Sequence, residues 1–325
     1  MADHAVDDDF DGDNIFIYRG GQAPQHITHV LIDESVYEIE DYAFNGCENL
    51  VQVDTHDGIR RVGKYAFYDC KSLQRINLKS AIDIEDDAFY RCESLADVEF
   101  GDRLETIGNC AFYGASIANL KLPSIITIGK AAFYNFHHLT DIELSERLET
   151  IEAIAFWKCE HLQRIAIPLK RDLFEFSYAF RRYTQFDYCV QLASVDLVGQ
   201  AHTKTIASLH MESWRAEMNE SINRINQVLP TTPANEKTEE IRQWMESLLD
   251  KLDHYKAEHY RFVKEGTALL ELALWKAKLG EKEDHVGEGR TKKAKIDTKD
   301  AKNEKRITSG ADIVIKNVLP FLKLN

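Results

Sequence analysis

The chain has 325 residues, 44 % of them hydrophobic and 10 % aromatic, enough for a real core and, on size alone, for two domains. Its net charge of −14 is uneven: residues 1–200 carry 34 acidic against 18 basic side chains, and the rest carry 20 against 22. So acidic a front part repels a phosphate backbone, which argues against a nucleic-acid groove, and no apolar run reaches the roughly 18 residues of a membrane-spanning helix.

Residues 1–25 read as an acidic tail. The opening MADHAVDDDFDGDN lacks the apolar segment of a secretory signal, so an intracellular location is expected, the cytoplasm first and the nucleus as alternative. Six cysteines in a long chain of that kind are expected to be reduced thiols. Asp7, Asp9, Asp11 and Gly12 fall at EF-hand-like positions, but the twelfth position would be Tyr18 rather than Glu, so a solvated tail is expected.

From residue 26 to 200 one phrase returns. Ala43-Phe44, Ala66-Phe67, Ala88-Phe89, Ala111-Phe112, Ala132-Phe133, Ala155-Phe156 and Ala179-Phe180 are spaced by 23, 22, 23, 21, 23 and 24 residues. A period near 23 marks a solenoid, whose units cannot bury an apolar face alone. Other columns keep step: Ile39, Val62, Ile84, Ile107, Ile128 and Ile151 before the phenylalanine; Cys47, Cys70, Cys92, Ala115, Phe136 and Cys159 after it; then Val53, Ile76, Val98, Leu120, Ile142, Ile165 and Val195. Ala66, Phe67, Cys70 and Leu73 share one face of a short helix, and Ile76 and Leu78 alternate with polar residues as in a half-buried strand. Each unit is therefore expected to be a helical turn followed by a strand, and stacking gives a parallel sheet on one face with strands about 4.8 Å apart. The segment ITHVLIDESV supplies an opening strand. Eight residues between Phe180 and Cys189 mark the last unit as an atypical cap.

The phrases VGKYAFYDCKSLQRINL, IEDDAFYRCESLADVEF and IEAIAFWKCEHLQRIAI resemble the BspA-type leucine-rich repeat over roughly residues 28–200. The resemblance implies a curved α/β solenoid used for binding, here an intracellular member with a C-terminal helical region; some members of the family are cell-surface adhesins. The commoner repeat form places an Asn or Cys after the strand, which this chain does not, so an asparagine ladder is not assumed.

Within the repeats, cysteine serves as a small buried hydrophobe, since Ala115 and Phe136 share its column. Outward strand positions carry the first candidate site: Arg75 beside Asp97, Glu99 beside Lys121 and Glu143, and Asp141 beside Arg164. Such pairs form a self-satisfied ladder or a charged face that selects a protein partner by complementarity. The residues after each phenylalanine, Tyr68, Tyr90, Tyr113, Tyr134 and Trp157, carry the second, since aromatics anchor interfaces but also stack on one another. His138 and His161 share a repeat position and could seed a metal-dependent hydrolase, the weakest reading; no third ligand is evident, and no catalytic residue, metal or cofactor is expected.

Past residue 200 the period changes. Residues 203–280 read as helices, one over Ile206 to Leu229 and a longer one from Pro233, capped by Thr232, to a stop at Gly280, with Gly266 as a possible break. Residues 281–306 read as a charged flexible linker. Its Lys292, Lys293, Lys295, Lys305 and Arg306 could form a targeting patch, diluted by Asp297, Asp300 and Glu304. Residues 307–325 are apolar again and are expected to dock on the helices. The functional expectation is a non-enzymatic scaffold that binds a protein partner on the strand face, touching neither nucleic acid nor membrane. The alternative is a homo-oligomerisation module built on residues 203–280.

Overall fold

The computed structural model describes residues 15–174, 184–209 and 211–283. The EF-hand-like aspartates, Phe180, the linker lysines and the apolar C-terminal segment lie outside the described residues.

The repeats wind into a solenoid in which every strand pairs in parallel with the equivalent strand of the neighbouring coil. The long-strand face is built from β1 (Phe16–Tyr18), β2 (His29–Ile32), β4 (Gln52–Asp54), β6 (Arg75–Leu78) and β8 (Asp97–Phe100), then β10 (Asn119–Leu122), β12 (Asp141–Leu144), β14 (Arg164–Pro168) and β15 (Ser194–Val198). Residues 16–18, which composition assigns to the acidic tail, are thus the first strand and pair with β2. A second face was not foreseen. The column five residues before each phenylalanine forms two-residue strands, β3 (Glu38–Ile39), β5 (Arg61–Val62), β7 (Asp83–Ile84), β9 (Thr106–Ile107), β11 (Thr127–Ile128) and β13 (Thr150–Ile151), in one unbroken six-stranded sheet.

The expected helical turn is not a helix. The residue before each alanine and the second residue after each phenylalanine take positive φ: among non-glycines these run from 51° at Cys110 to 63° at Asn135 and Tyr188. Every second amide points to the next coil instead of along a helix, as Phe44 N–H donates to Ala66 O at 2.7 Å and Phe67 N–H to Ala88 O at 2.7 Å, while the alternate ones, such as Asn45 N–H to Tyr42 O, close tight turns. Amides spent on a neighbour cannot close a helix.

The phenylalanines form one file. Ring centroids stand 4.9 Å apart for Phe44–Phe67, 5.0 Å for Phe67–Phe89 and for Phe89–Phe112, 5.9 Å for Phe112–Phe133 and 5.2 Å for Phe133–Phe156. Tyr18 heads the file, 4.8 Å from Phe44. The ring that follows Phe156 is Phe186, at 5.5 Å and 9°. Gln185 O takes the Phe156 amide where an alanine does so elsewhere. The extra residues of the last coil therefore precede its ring, and the two-residue gap from phenylalanine to cysteine is kept as Phe186 to Cys189. These rings are fully buried, each stabilising by about 1.5–3 kcal/mol relative to exposure.

An aspartate and asparagine ladder supports the second face. Asp41 Oδ1 accepts from Lys64 N–H at 3.0 Å, Asp86 Oδ1 from Asn109 N–H at 2.8 Å, and Asn109 Oδ1 from Lys130 N–H at 2.8 Å. Arg61 ties neighbouring coils through Asp41 at 2.8 Å and Glu85 at 2.5 Å.

After the solenoid come α1 (Ala201–Ser208), α2 (Glu212–Val228), a 3₁₀ turn (Leu229–Thr231) and α3 (Lys237–Glu283). The single helix expected over residues 206–229 is broken between Ser208 and Glu212. Pro233 opens a turn closed by Glu236 N–H to Pro233 O, so α3 starts later than the proline suggests. It then runs through Gly266 and Gly280 without stopping. By packing, the chain divides into one unit of Met1–Gln200 with Glu220–Leu249 and a second of Ala201–Asn219 with Asp250–Asn325.

Within the first unit, residues 220–249 stand in for a further coil. In mid-solenoid, the carbonyls of Lys71 and Leu95 accept amides from the next coil, those of Ser94 and Ser116. In the last coil the equivalent carbonyls, Val190 O and Leu192 O, both accept from the Lys237 ammonium at 3.0 and 2.5 Å. Phe186 N–H donates to Thr238 Oγ1 at 3.0 Å and Val195 N–H to Asn226 Oδ1 at 2.8 Å. Lys237 is 1 % exposed, and burial lowers its pKa from the ordinary lysine value.

In the second unit Trp214 stacks on Tyr255 at 4.9 Å, and Tyr255 O–H and Lys251 both donate to the Glu217 carboxylate, at 2.5 and 3.0 Å. Beyond Tyr255, α3 exposes Phe262, Leu269, Leu270, Leu272, Leu274 and Trp275, with Leu269 67 % exposed.

Candidate functional site

Alternation within each strand aims every second side chain away from the core. On the long-strand face these outward residues include Arg75, Asp97, Glu99, Lys121, Asp141, Glu143 and Arg164, as the sequence placed them. Arg75 pairs with Asp97 at 2.9 Å, Lys121 with Glu143 at 3.9 Å, and Arg164 with Asp141 at 3.0 Å. Arg164 also reaches Asp196 at 2.6 Å, and both carboxylates raise its pKa through their hydrogen bonds. The expected Glu99–Lys121 pair does not form; Glu99 binds Lys79 of the preceding coil at 2.7 Å. Arg75, Lys79, Lys121 and Arg164 are each neutralised by a carboxylate of the same face, while Asp54 meets, among the described residues, no cation but the Gln52 amide at 2.8 Å. The face is therefore acidic on balance. It is most open in the middle coils, with Arg75 63 %, Asp97 59 % and Lys121 78 % exposed, and closes towards the end, where Ala166 is buried.

The missing pair has a backbone cause. The long-strand sheet is split: β8 ends one segment and β10 begins the next, and among the described residues no backbone hydrogen bond joins Asp97–Phe100 to Asn119–Leu122. Nearly all Cα separations between β8 and β10 exceed 8 Å. The same two coils stay in contact on the other side, where β9 pairs with β11 and Tyr113 stacks on Tyr134 at 4.5 Å. The coils thus part locally at the long strands: the phenylalanine rings stand 5.9 Å apart, while just before β8 and β10 the Ser116 N–H still donates to Leu95 O at 2.9 Å. Three sequence features produce the parting. The span from Phe112 to Ile117 is one residue shorter than from Phe89 to Leu95. Phe136 occupies a cysteine position and meets Phe133 edge-on at 5.4 Å. Phe100 stands where Leu78 and Leu122 stand in neighbouring coils, edge-on to Phe112 at 5.7 Å. As a result Val98 and Phe100 are half-exposed, whereas Val53, Ile76, Leu120 and Ile142 of the same column or its neighbours are buried. The spacing of 21 and the phenylalanine in the cysteine column signalled this split in the sequence.

The aromatic candidates are together but face each other. Tyr68–Tyr90, Tyr90–Tyr113 and Tyr134–Trp157 stack at 4.9, 4.6 and 4.6 Å, and Tyr188 closes the row edge-on to Trp157 at 5.0 Å. Neighbours cover the ring faces and only edges remain for solvent. Burial, then the adjacent Tyr113 and Tyr68, raise the Tyr90 pKa. The Lys158 ammonium sits 4.7 Å from the Trp157 ring centre.

The cysteine column is buried, and its thiols donate to carbonyls one coil back: Cys70 Sγ to Phe44 O at 3.1 Å, Cys92 Sγ to Phe67 O at 3.1 Å and Cys159 Sγ to Phe133 O at 3.2 Å. Burial pushes the Cys47 thiol up to about 11 and raises Cys70, Cys92 and Cys159 as well. His138 and His161 are exposed, and among the described residues no three His, Cys, Asp or Glu gather as a metal site. No helix of the described residues is long and apolar enough to cross a membrane.

A family model described as the BspA type leucine rich repeat region matches six copies of its repeat over residues 22–127, 79–185 and 105–207, more than half of the chain. No curated protein matches. Among solved structures, a leucine-rich repeat protein from Bacteroides ovatus is similar at 24 % identity and a TM-score of 0.43, covering 55 % of this chain and 48 % of that one. A leucine rich cell surface protein from Faecalibacterium prausnitzii has 20 % identity and a TM-score of 0.36, covering 55 % and 61 %. The leucine rich repeat protein of T. pallidum has 24 % identity and a TM-score of 0.37, covering 57 % and 77 %. The chain thus spans about half the length of the first of these and three-fifths of the second.

Proposed function

The chain belongs to the BspA-type leucine-rich repeat family, and from that premise we propose that it is a non-enzymatic protein-interaction scaffold whose long-strand face receives the partner. The observation that carries this reading is the open middle of that face, where charged side chains stand exposed on a backbone already fixed by coil-to-coil pairing. A preformed surface loses little entropy on binding. Because its cations are already neutralised by neighbours, the face favours a basic partner. The test is a pull-down with the four-fold charge reversal Asp97→Lys, Glu99→Lys, Asp141→Lys and Glu143→Lys. Partners held by the parent chain and lost by the variant support the reading; an unchanged set removes the face from consideration.

A second reading, self-association, draws on the apolar stretch of α3. Leu269, Leu270, Leu272, Leu274 and Trp275 lie on several sides of one helix and are 43–67 % exposed. A helix apolar all round is normally buried. Sedimentation of the full chain, with and without Leu269→Glu and Leu272→Glu, tests it: one species that ignores both substitutions removes self-association.

A further inference from the structure

The split in the long-strand face is a place where main-chain groups await partners. We propose that the slot between β8 and β10 takes one extended segment of a partner protein as an inserted parallel strand. This deepens the scaffold reading and rests on it.

Geometry and chemistry fix the occupant. Strands in a sheet lie about 4.8 Å apart, so a strand fits between neighbours about 9.6 Å apart. The β8–β10 separation exceeds 8 Å for nearly all Cα pairs, too far for the two edges to pair with each other, while β9–β11 pairing and the Ser116 N–H to Leu95 O bond at 2.9 Å hold the same two coils together. Both facing edges carry main-chain donors and acceptors with no backbone partner across the slot. Only an extended main chain offers donors and acceptors at the matching repeat. The side chains on each lip specify the rest. Outward, Asp97 and Asn119 flank one position, and Glu99 and Lys121 flank the position two residues on. The first suits Lys or Arg, in competition with Arg75, which already holds Asp97 at 2.9 Å. The second, between a carboxylate bound to Lys79 and an ammonium bound to Glu143, suits a neutral residue such as Thr. Inward, half-buried Val98 and Phe100 hold the same repeat positions as the buried Leu120 and Leu122, so the alternate positions suit Val or Ile. The recognised pattern is therefore basic, β-branched, neutral polar, β-branched.

The probe is a labelled peptide, acetyl-Thr-Lys-Val-Thr-Val-Gly amide, titrated against the full chain by fluorescence anisotropy. Saturable binding is expected, together with at least tenfold slower amide hydrogen exchange at Asn119 and Lys121 on one lip and Val98 and Phe100 on the other, whose N–H groups face the slot. A closed variant restores the repeat: one residue inserted after Ala115, with Phe100→Leu and Phe136→Cys. It should weaken the peptide at least tenfold, and its β10 amides should exchange as slowly without peptide as those of β12. Val98→Asp, which charges the slot floor without altering coil length, should also weaken binding at least tenfold if the closed variant does not fold. No saturable binding up to millimolar peptide, binding indifferent to both variants, or protection confined to other strands overturns the proposal. A dimer of the parent chain that dissociates on closure overturns it too, by assigning the slot to a second copy. Partners lost on charge reversal but kept on closure would sink the slot and leave the open face standing; partners kept in both would sink both.

Discussion

The two sheets of the solenoid use the same coils and end differently. The short-strand sheet runs unbroken from β3 to β13 on two residues per coil, while the long-strand sheet, with twice the pairing surface, parts between β8 and β10. Strand length did not decide continuity. Coil length did: the path from the phenylalanine to the short strand of the next coil tolerates a lost residue, whereas the path from Phe112 to Ile117 is the corner that sets the height of β10. Two bulky rings, buried Phe136 and half-buried Phe100, then line the opened side. A repeat protein can thus keep one edge zipped as a hinge line and release the other as a surface.

Removing a ring from the file should hurt both sheets at once. Phe89→Ala is expected to cost about 3–5 kcal/mol, read as a lower urea midpoint, because the void lies between two stacked neighbours. An unchanged midpoint would deny that the file joins the sheets.

The next largest effect concerns the end of the solenoid. Lys237→Met removes the donor of the buried Leu192 carbonyl and of the partly buried Val190 carbonyl, and should cost about 1–3 kcal/mol for the buried one left without a partner. The pH dependence has a definite sign. The folded pKa of Lys237 lies below its ordinary value of 10.5, so the unfolded chain binds the proton more tightly. Stability therefore rises as pH climbs from the folded pKa towards 10.5, and Lys237→Met should lose that part of the rise in a series of urea melts.

Ile154 holds φ at 55°, a left-handed conformation that is unfavourable by about 1–2 kcal/mol for a residue with a Cβ. Ile154→Gly should recover up to about 1 kcal/mol in the same melts, since lost side-chain packing offsets part of the gain. The smallest effect is Arg75→Ala. Its pair with Asp97 is more than half exposed on both partners, so a change of about 0–1 kcal/mol, shrinking with salt, is expected.

Thiol chemistry sharpens the contrast between core and rim. Cys70, Cys92 and Cys159 are buried with raised pKa values and should resist maleimide until the chain unfolds; Cys110, only half-buried, should react first. Rapid labelling of Cys92 in the folded chain would mean that the coils part on the wrong side.

The sequence made the ring file, the thiol column and the outward charges legible because each repeats with the coil. It misled where a local pattern coincided with a non-local one. The i, i+1, i+4, i+7 spacing of Ala66, Phe67, Cys70 and Leu73 resembles a helix face, yet alternate amides there serve the next coil. The Ala179-Phe180 pair drew attention from Phe186, although only Phe186 keeps the distance to its cysteine. Lys237, Thr238 and Asn226 sit in helical sequence with no period to mark them, and their work of closing the last coil depends on contacts 31–54 residues away. The split was written in a spacing of 21 and one phenylalanine out of place, but only packing shows which side of the coil absorbs it.

Residue-resolved amide hydrogen exchange on the free chain tests the parting directly. The amides of Asn119 and Lys121, which face β8, should exchange at least tenfold faster than those of Asp141 and Glu143 at the same positions of β12, while Gly129, whose N–H donates to Ile107 O at 2.8 Å on the zipped side of the same coil, stays slow. Equal protection of the three segments would contradict the split, and with it the slot.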